Sequence, residues 1–181
     1  MFFNSAGAQR FAFVYDYMGR RVQMTVSTYD GSAWAEDESR LFVYDGWNLI
    51  EEIVDDGGAP QSRYFVWGLD LSQSVQGAGG VGGLLAMAAG DQVVNFAFDA
   101  NGNVGQLVNS NGAIVAHYEY DPFGNTVVAQ GSAADDNPYR FSTKYLDETG
   151  MVQFNSRYYL PVIGRYNQRD VLGEIGGKNI Y

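Results

Sequence analysis

At 181 residues and 19.9 kDa the chain has the length of one ordinary domain, or of a stretch of a longer repetitive architecture, and can bury a core. Its 21 acidic residues against 11 basic ones give a formal net charge of −10, which argues against nucleic acid or anionic lipid as a partner. With no cysteine it has no disulfide, thiolate metal site or cysteine nucleophile, while 23 glycines, 13 tyrosines and 11 phenylalanines suit many short strands joined by tight turns.

The first residues carry neither a basic n-region nor an apolar core, so no ordinary secretory signal is expected at Met1. Apolar and polar residues then alternate over residues 10–15, 21–26, 40–44, 48–54 and 61–67, the period of half-buried strands. The pairs Asp30-Gly31, Asp45-Gly46, Asp56-Gly57, Asn101-Gly102 and Asn111-Gly112 tolerate the positive φ angles of two-residue hairpin turns. Successive strands are therefore expected to pair antiparallel.

The glycine-rich run at residues 77–83 lacks the Gly-Lys-Ser/Thr ending that holds a phosphate, and reads as a loop packed closely against a sheet. The apolar stretch at 81–89 contains two glycines and falls far short of the ~20 residues that span a bilayer, so no membrane insertion is expected. Alternation resumes over 93–98, 104–108, 114–120 and 126–129, followed by a polar loop at 130–137 and a short helix expected around 142–148. The sum is roughly ten to twelve strands.

Isolated chemical groups point to little. His117, the single histidine, has no cysteine or second histidine to join and reads as a strand residue. The clusters Glu36-Asp37-Glu38 and Asp135-Asp136 lack the spaced ligand order of a calcium loop and read as solvated loops. No cofactor and no metal are expected.

Four segments share a signature: Tyr15-Asp16 with Gly19, Tyr44-Asp45, Phe98-Asp99 with Gly102, and Tyr120-Asp121 with Gly124. In each, an aromatic can pack on a sheet face, the Asp carboxylate can accept backbone N–H bonds in the turn, and Gly or Asn supplies the unusual backbone angle. The spacings of 29, 54 and 22 residues are irregular, and the longest leaves room for one degenerate unit.

These segments resemble the YD repeats of the Rhs family. The words Asn137-Pro-Tyr-Arg-Phe-Ser-Thr-Lys, Asp147-Glu-Thr-Gly-Met, Ser156-Arg-Tyr-Tyr and Gln168-Arg-Asp-Val-Leu-Gly resemble, in order, the Rhs repeat-associated core. The resemblance implies an all-β fold: a continuous antiparallel β-hairpin strip at 1–129, forming part of a curved or spiral shell, and an irregular plug-like core segment at 130–181.

It further implies a structural role in encapsulating or presenting a C-terminal toxin outside the cell. The partners would be the rest of such a shell or a toxin cargo, and free sheet edges could also pair into a homo-oligomer or fibre. In the family the core is an aspartyl autoprotease using an arginine and two aspartates, for which Arg157 and Asp170 are the counterparts here. The second aspartate has no counterpart, and the usual Asp-Pro is altered to Asp170-Val171, so self-cleavage is not expected of this chain. Two other readings stay open: a module binding glycan or protein through Trp34, Trp47 and Trp67, and a remnant of the autoprotease.

Overall fold

The computed structural model describes residues 5–170 and 173–176. Fourteen strands and three short 3₁₀ turns make up its regular structure among the described residues. Strands β1 (Gln9–Tyr15), β2 (Arg21–Tyr29), β3 (Trp34–Asp45), β4 (Asn48–Asp55), β5 (Gln61–Trp67), β6 (Leu84–Ala89), β7 (Gln92–Phe98), β8 (Val104–Asn109), β9 (Ile114–Tyr120) and β10 (Thr126–Gln130) hydrogen-bond in chain order. A second sheet joins β11 (Tyr145–Leu146), β12 (Val152–Phe154), β13 (Arg157–Leu160) and β14 (Arg165–Tyr166), also in chain order. The all-β strip of consecutive hairpins is the expected fold.

Strand β6 was hidden in the sequence because Leu84-Leu-Ala-Met-Ala-Ala is apolar throughout and shows no alternation. With Gly90 at φ 55 in the tight turn to β7, it supplies a hairpin inside the 54-residue gap. The helix expected around 142–148 is absent. A single 3₁₀ turn at Phe141–Thr143 holds Ser142 and Thr143 at φ 53 and 51, outside the α region, and β11 follows at once. The cluster Glu36-Asp37-Glu38 lies within β3 and not in a loop, whereas Asp135 and Asp136 are exposed in a turn.

The turns differ in type from the two-residue hairpins expected at Asn101-Gly102 and Asn111-Gly112. Asp99 N–H donates to the Asn103 carbonyl and Gly102 N–H to the Asp99 carbonyl, each at 3.0 Å, and Gly102 alone takes a positive φ. This is a type I turn completed by a left-handed glycine, which needs one special residue where a type I′ turn needs two. Asp16 to Arg20, Asn109 to Ala113, Asp121 to Asn125 and Asp147 to Met151 repeat the same pair of bonds at 2.9–3.0 Å.

Two compact units divide the chain. In the first, Met1–Phe65 with Ala88–Gln92, Met24, Val26, Phe42, Leu49 and Phe65 are buried. Charge is buried there too. The Arg21 guanidinium, fully enclosed, lies 5.3 Å from the Phe13 ring and 4.8 Å from the Phe42 ring. Glu52, also fully enclosed, meets Arg40 and Arg63 at 3.4 Å each, and Arg40 also binds Glu38. Such a ladder satisfies charges that would be costly alone.

The second unit, Val66–Met87 with Val93–Tyr181, is built on Leu84, Val104, Leu107, Ala116, Tyr118, Tyr139, Tyr145 and Val152. Here the loop at 130–137 is less polar in practice than in sequence: Ala133, Ala134 and Asn137 are buried.

Gly112 and Gly124 hold the same place in their turns, at φ 78 and 86, but a Cβ on Gly112 meets nothing within 4 Å while one on Gly124 would lie 2.6 Å from the Phe141 ring. Gly112→Ala should therefore cost only the left-handed strain, ~1 kcal/mol, and Gly124→Ala ~3 kcal/mol because the ring must also move. Urea denaturation of the two variants checks the difference; equal midpoints would contradict it.

Candidate functional site

The signature residues perform one repeated local task. Asp16 Oδ1 accepts N–H bonds from Met18 and Arg20, both at 2.9 Å. Asp99 does the same for Asn101 and Asn103 at 2.9 Å, and Asp121 for Phe123 and Asn125 at 2.8 and 2.9 Å. The residue after the glycine closes the second oxygen: Arg20 Nε to Asp16 at 2.7 Å, Asn103 Nδ2 to Asp99 at 2.8 Å and Asn125 Nδ2 to Asp121 at 2.7 Å.

For Asp99, burial alone would raise the carboxyl, and the bonds from Asn103, Asn101 and Gly102 outweigh it and hold it below the usual range. Asp121 is lowered first by the Asn125 side chain. Asp45 departs from this pattern: β3 turns into β4 through Gly46 and Trp47 alone, with Gly46 at φ 58.

The aromatic of the signature marks a change of twist. The β1–β2, β3–β4 and β7–β8 registers each shift at the motif aromatic, between Val14 and Tyr15, Val43 and Tyr44, and Ala97 and Phe98. A bulge at the same step of each hairpin increases its local twist. Tyr44 lies under the Arg20 guanidinium at 5.3 Å, Phe98 stacks on Phe96, and Tyr120 packs on Phe141 and donates its hydroxyl to the Val104 carbonyl at 2.8 Å.

The Asp99 and Asp121 turns line one cavity of about 560 Å³ with Tyr118, Tyr120, Phe141 and Ser142. Residues 137–144 tie that region together. Asn137 bonds both the N–H and the carbonyl of Tyr139, at 2.9 and 2.7 Å, and Arg140 lies 4.2 Å from the Tyr118 ring and donates to the Ala134 carbonyl at 2.6 Å. Ser142 N–H donates to Asn103 Oδ1 at 2.8 Å. Thr143 Oγ1 donates to the Gly102 carbonyl at 2.7 Å and accepts from Gly82 N–H at 2.8 Å.

The glycine-rich run is a constructed loop centred on Asp70, which the sequence reading passed over. Buried at 2% exposure, Asp70 accepts bonds from the Ser72 hydroxyl and from the N–H groups of Ser72, Ala78 and Gly80, at 2.6 to 3.1 Å. Burial raises its carboxyl, but these bonds prevail and bring it down to about 2. Lys144, also passed over, binds the Gly79 carbonyl and lies 5.8 Å from the Phe154 ring. Burial lowers its ammonium to about 8, against the attraction of Asp70. An aspartate two residues before a serine, just ahead of a glycine run, was the available signal for the first. The second had none beyond being a lone lysine in an aromatic-rich word.

Arg157 and Asp170, 13 residues apart in the chain, are brought together: Arg157 Nη1 lies 3.0 Å from Asp170 Oδ2, and its guanidinium stacks 3.9 Å above the Tyr166 ring. Arg157 and Tyr166 share a cavity of about 270 Å³ with Gly79, Lys144, Phe154, Asn155 and Ser156. Val171 lies outside the described residues. His117 is a strand residue in β9 with Glu119 at 3.2 Å.

Fold and turn chemistry together define a YD-repeat shell segment of the Rhs type. The Teneurin YD-shell model matches residues 79–175, more than half of the chain, and the chain belongs to that family. It is 25% identical over 182 aligned positions to a double-stranded DNA deaminase toxin A of Burkholderia cenocepacia, covering 93% of this chain and 12% of that protein. It is 35% identical over 83 positions to toxin subunit YenC1 of Yersinia entomophaga, covering 44% of this chain and 8% of that protein. With a tRNA3(Ser)-specific nuclease WapA of Bacillus spizizenii it shares 27% identity over 158 positions, 86% of this chain and 6% of that one.

Among solved structures, TcdB2-TccC3 superposes over 100% of this chain with a TM-score of 0.73 at 20% identity, the chain spanning 9% of that one. The same complex without its hypervariable C-terminal region gives 0.74 at 22% identity, covering 98% and 8%. The chain thus spans a small fraction of each relative.

Thr143→Val keeps the shape and removes the hydroxyl shared by Gly102 and Gly82, and should cost about 2 kcal/mol in a denaturant titration, with Thr143→Ser largely retaining stability. For Lys144 the unfolded chain binds more protons than the folded one between about pH 8 and its ordinary value of 10.5, so stability should rise with pH in that window. The gain from pH 8 to pH 9, below the range where the raised tyrosines act in the opposite sense, is about 1 kcal/mol. It should vanish in Lys144→Met; a slope unchanged by that substitution would refute the assignment.

Proposed function

We propose that this chain is a stretch of wall, together with the core segment at 130–181, of a larger YD shell that encloses or presents a toxin-class effector outside the cell. The observation that carries this reading is the strand order, ten strands each bonded to the next in sequence, with the same five-residue turn after three of the four signature aromatics. Such a strip has no closed core of its own and must bury its faces against further strip or contents. Half-exposed Leu41, Val43 and Tyr64 on β3 and β5 are surface of that kind. Several relatives bear names of toxins or toxin subunits, which supports a cargo of that class.

In this reading Arg157 and Asp170, 3.0 Å apart, form an ion pair that shapes the core segment. The tryptophan-based binding module has less support: Trp34, Trp47 and Trp67 are all half-buried, Trp34 under Arg10 and Trp67 edge-on against Tyr139.

Two measurements test this. Incubated from about pH 4 to pH 7, the chain should keep its intact mass; clipping abolished by Asp170→Asn would restore the protease reading. In the longer polypeptide that carries this segment, limited proteolysis should spare the effector until Asp99→Ala and Asp121→Ala loosen the wall. An effector digested equally fast in both forms would rule out enclosure.

A further inference from the structure

The cavity of about 270 Å³ beside the glycine-rich loop has a feature that shell architecture does not use. Its wall includes the amine of Lys144, a residue only 8% exposed. The amine is fixed by one bond to the Gly79 carbonyl, and Gly79 itself is left-handed at φ 66. A Cβ at Gly79 would lie 3.3 Å from Lys144 Nζ, a tight contact, and 3.9 Å from Asn155 Nδ2, so the bare glycine backbone favours the close approach of the amine.

An ammonium has three N–H groups, and Lys144 places one on Gly79. The opposing charge that acts on it is Asp70, already bonded by its own loop, and the further cation on the cavity wall is Arg157, whose Nη1 lies 3.0 Å from Asp170. Tyr166 and Phe154 add aromatic surface, and Asn155 and Ser156 add polar groups.

We propose that Lys144 is a carbonyl-reactive amine, and that its cavity takes a small planar aldehyde or ketone bearing an anionic group, with the carbonyl at Lys144 and the anion towards Arg157. The neutral amine nitrogen attacks the carbonyl carbon, the carbon–oxygen π pair moves to oxygen, and the resulting carbinolamine loses one water to give the imine. No oxidant or reductant is needed. Burial supplies the neutral amine: an ammonium near 8 is deprotonated at neutral pH roughly three hundredfold more often than an ordinary lysine. This site is independent of whether the shell encloses cargo.

The sequence keeps the test simple: its primary amines are Lys144, Lys178 and the α-amino group, which peptide mapping separates. The chain is incubated with pyridoxal 5′-phosphate from about pH 6.5 to pH 10.5, the imine is trapped with borohydride, and adducts are located by intact mass and peptide mapping. Labelling at Lys144 should exceed that at Lys178 by roughly tenfold or more at pH 7.5, with a midpoint near pH 8, and Lys144→Arg should abolish it. Pyridoxal without the phosphate should label Lys144 several-fold more slowly, and Arg157→Gln should remove that preference. Equal labelling of the two lysines, or labelling of Lys144 only near pH 10, would overturn the reactive amine. A phosphate preference unchanged by Arg157→Gln would overturn the orientation of the anion.

Discussion

A carboxylate that accepts two backbone N–H bonds from the turn following it, beside one glycine in the left-handed region, is the interaction on which the rest of this structure depends. In a strip of consecutive hairpins, each turn sets where one strand ends and the next begins. The aspartate does so by satisfying the N–H groups that a five-residue loop leaves without ladder partners. Its second oxygen is then closed by Arg20, Asn103 or Asn125, which leaves the carboxylate with every strong donor nearby engaged. Because the register shift falls at the aromatic just before the aspartate, the same three or four residues set both the reversal and the twist of each hairpin.

Burial in such a strip cannot be purely apolar. The first unit encloses Arg21 between two rings and Glu52 between two arginines, and the second encloses Asp70 among backbone amides. In each case the buried charge faces an electrostatic counterpart: ring faces, guanidinium groups or backbone amides. Residues 137–144 extend this principle from one turn to several: the backbone and side chains of a single word reach the Gly102 turn, the glycine-rich loop and Tyr118. The word resembles a family signature because so many of its positions are committed to specific polar partners, where an apolar plug could drift.

That commitment also explains the failed helix. Residues 142–148 have the composition of a short helix, but Ser142 and Thr143 are drawn into left-handed backbone by bonds to Asn103, Gly102 and Gly82, partners that lie roughly 40 to 60 positions away. Local propensity is worth a few tenths of a kcal/mol per residue, and several buried hydrogen bonds outweigh it.

Periodicity of two and the Asp-to-Gly spacing are local, so the antiparallel strip, most of its strands and the role of Asp16, Asp99 and Asp121 in their turns could be read from the chain itself. Alternation fails where a strand is apolar on both faces, which is why β6 was visible only in the structure, and a dipeptide such as Asn101-Gly102 does not disclose whether one or both residues take a positive φ. Tertiary structure alone decided that Lys144 reaches Gly79 and that Asp70 organises the glycine loop. These depend on distances between segments, set by the packing of whole sheets, and no local pattern of residues encodes a distance of that kind.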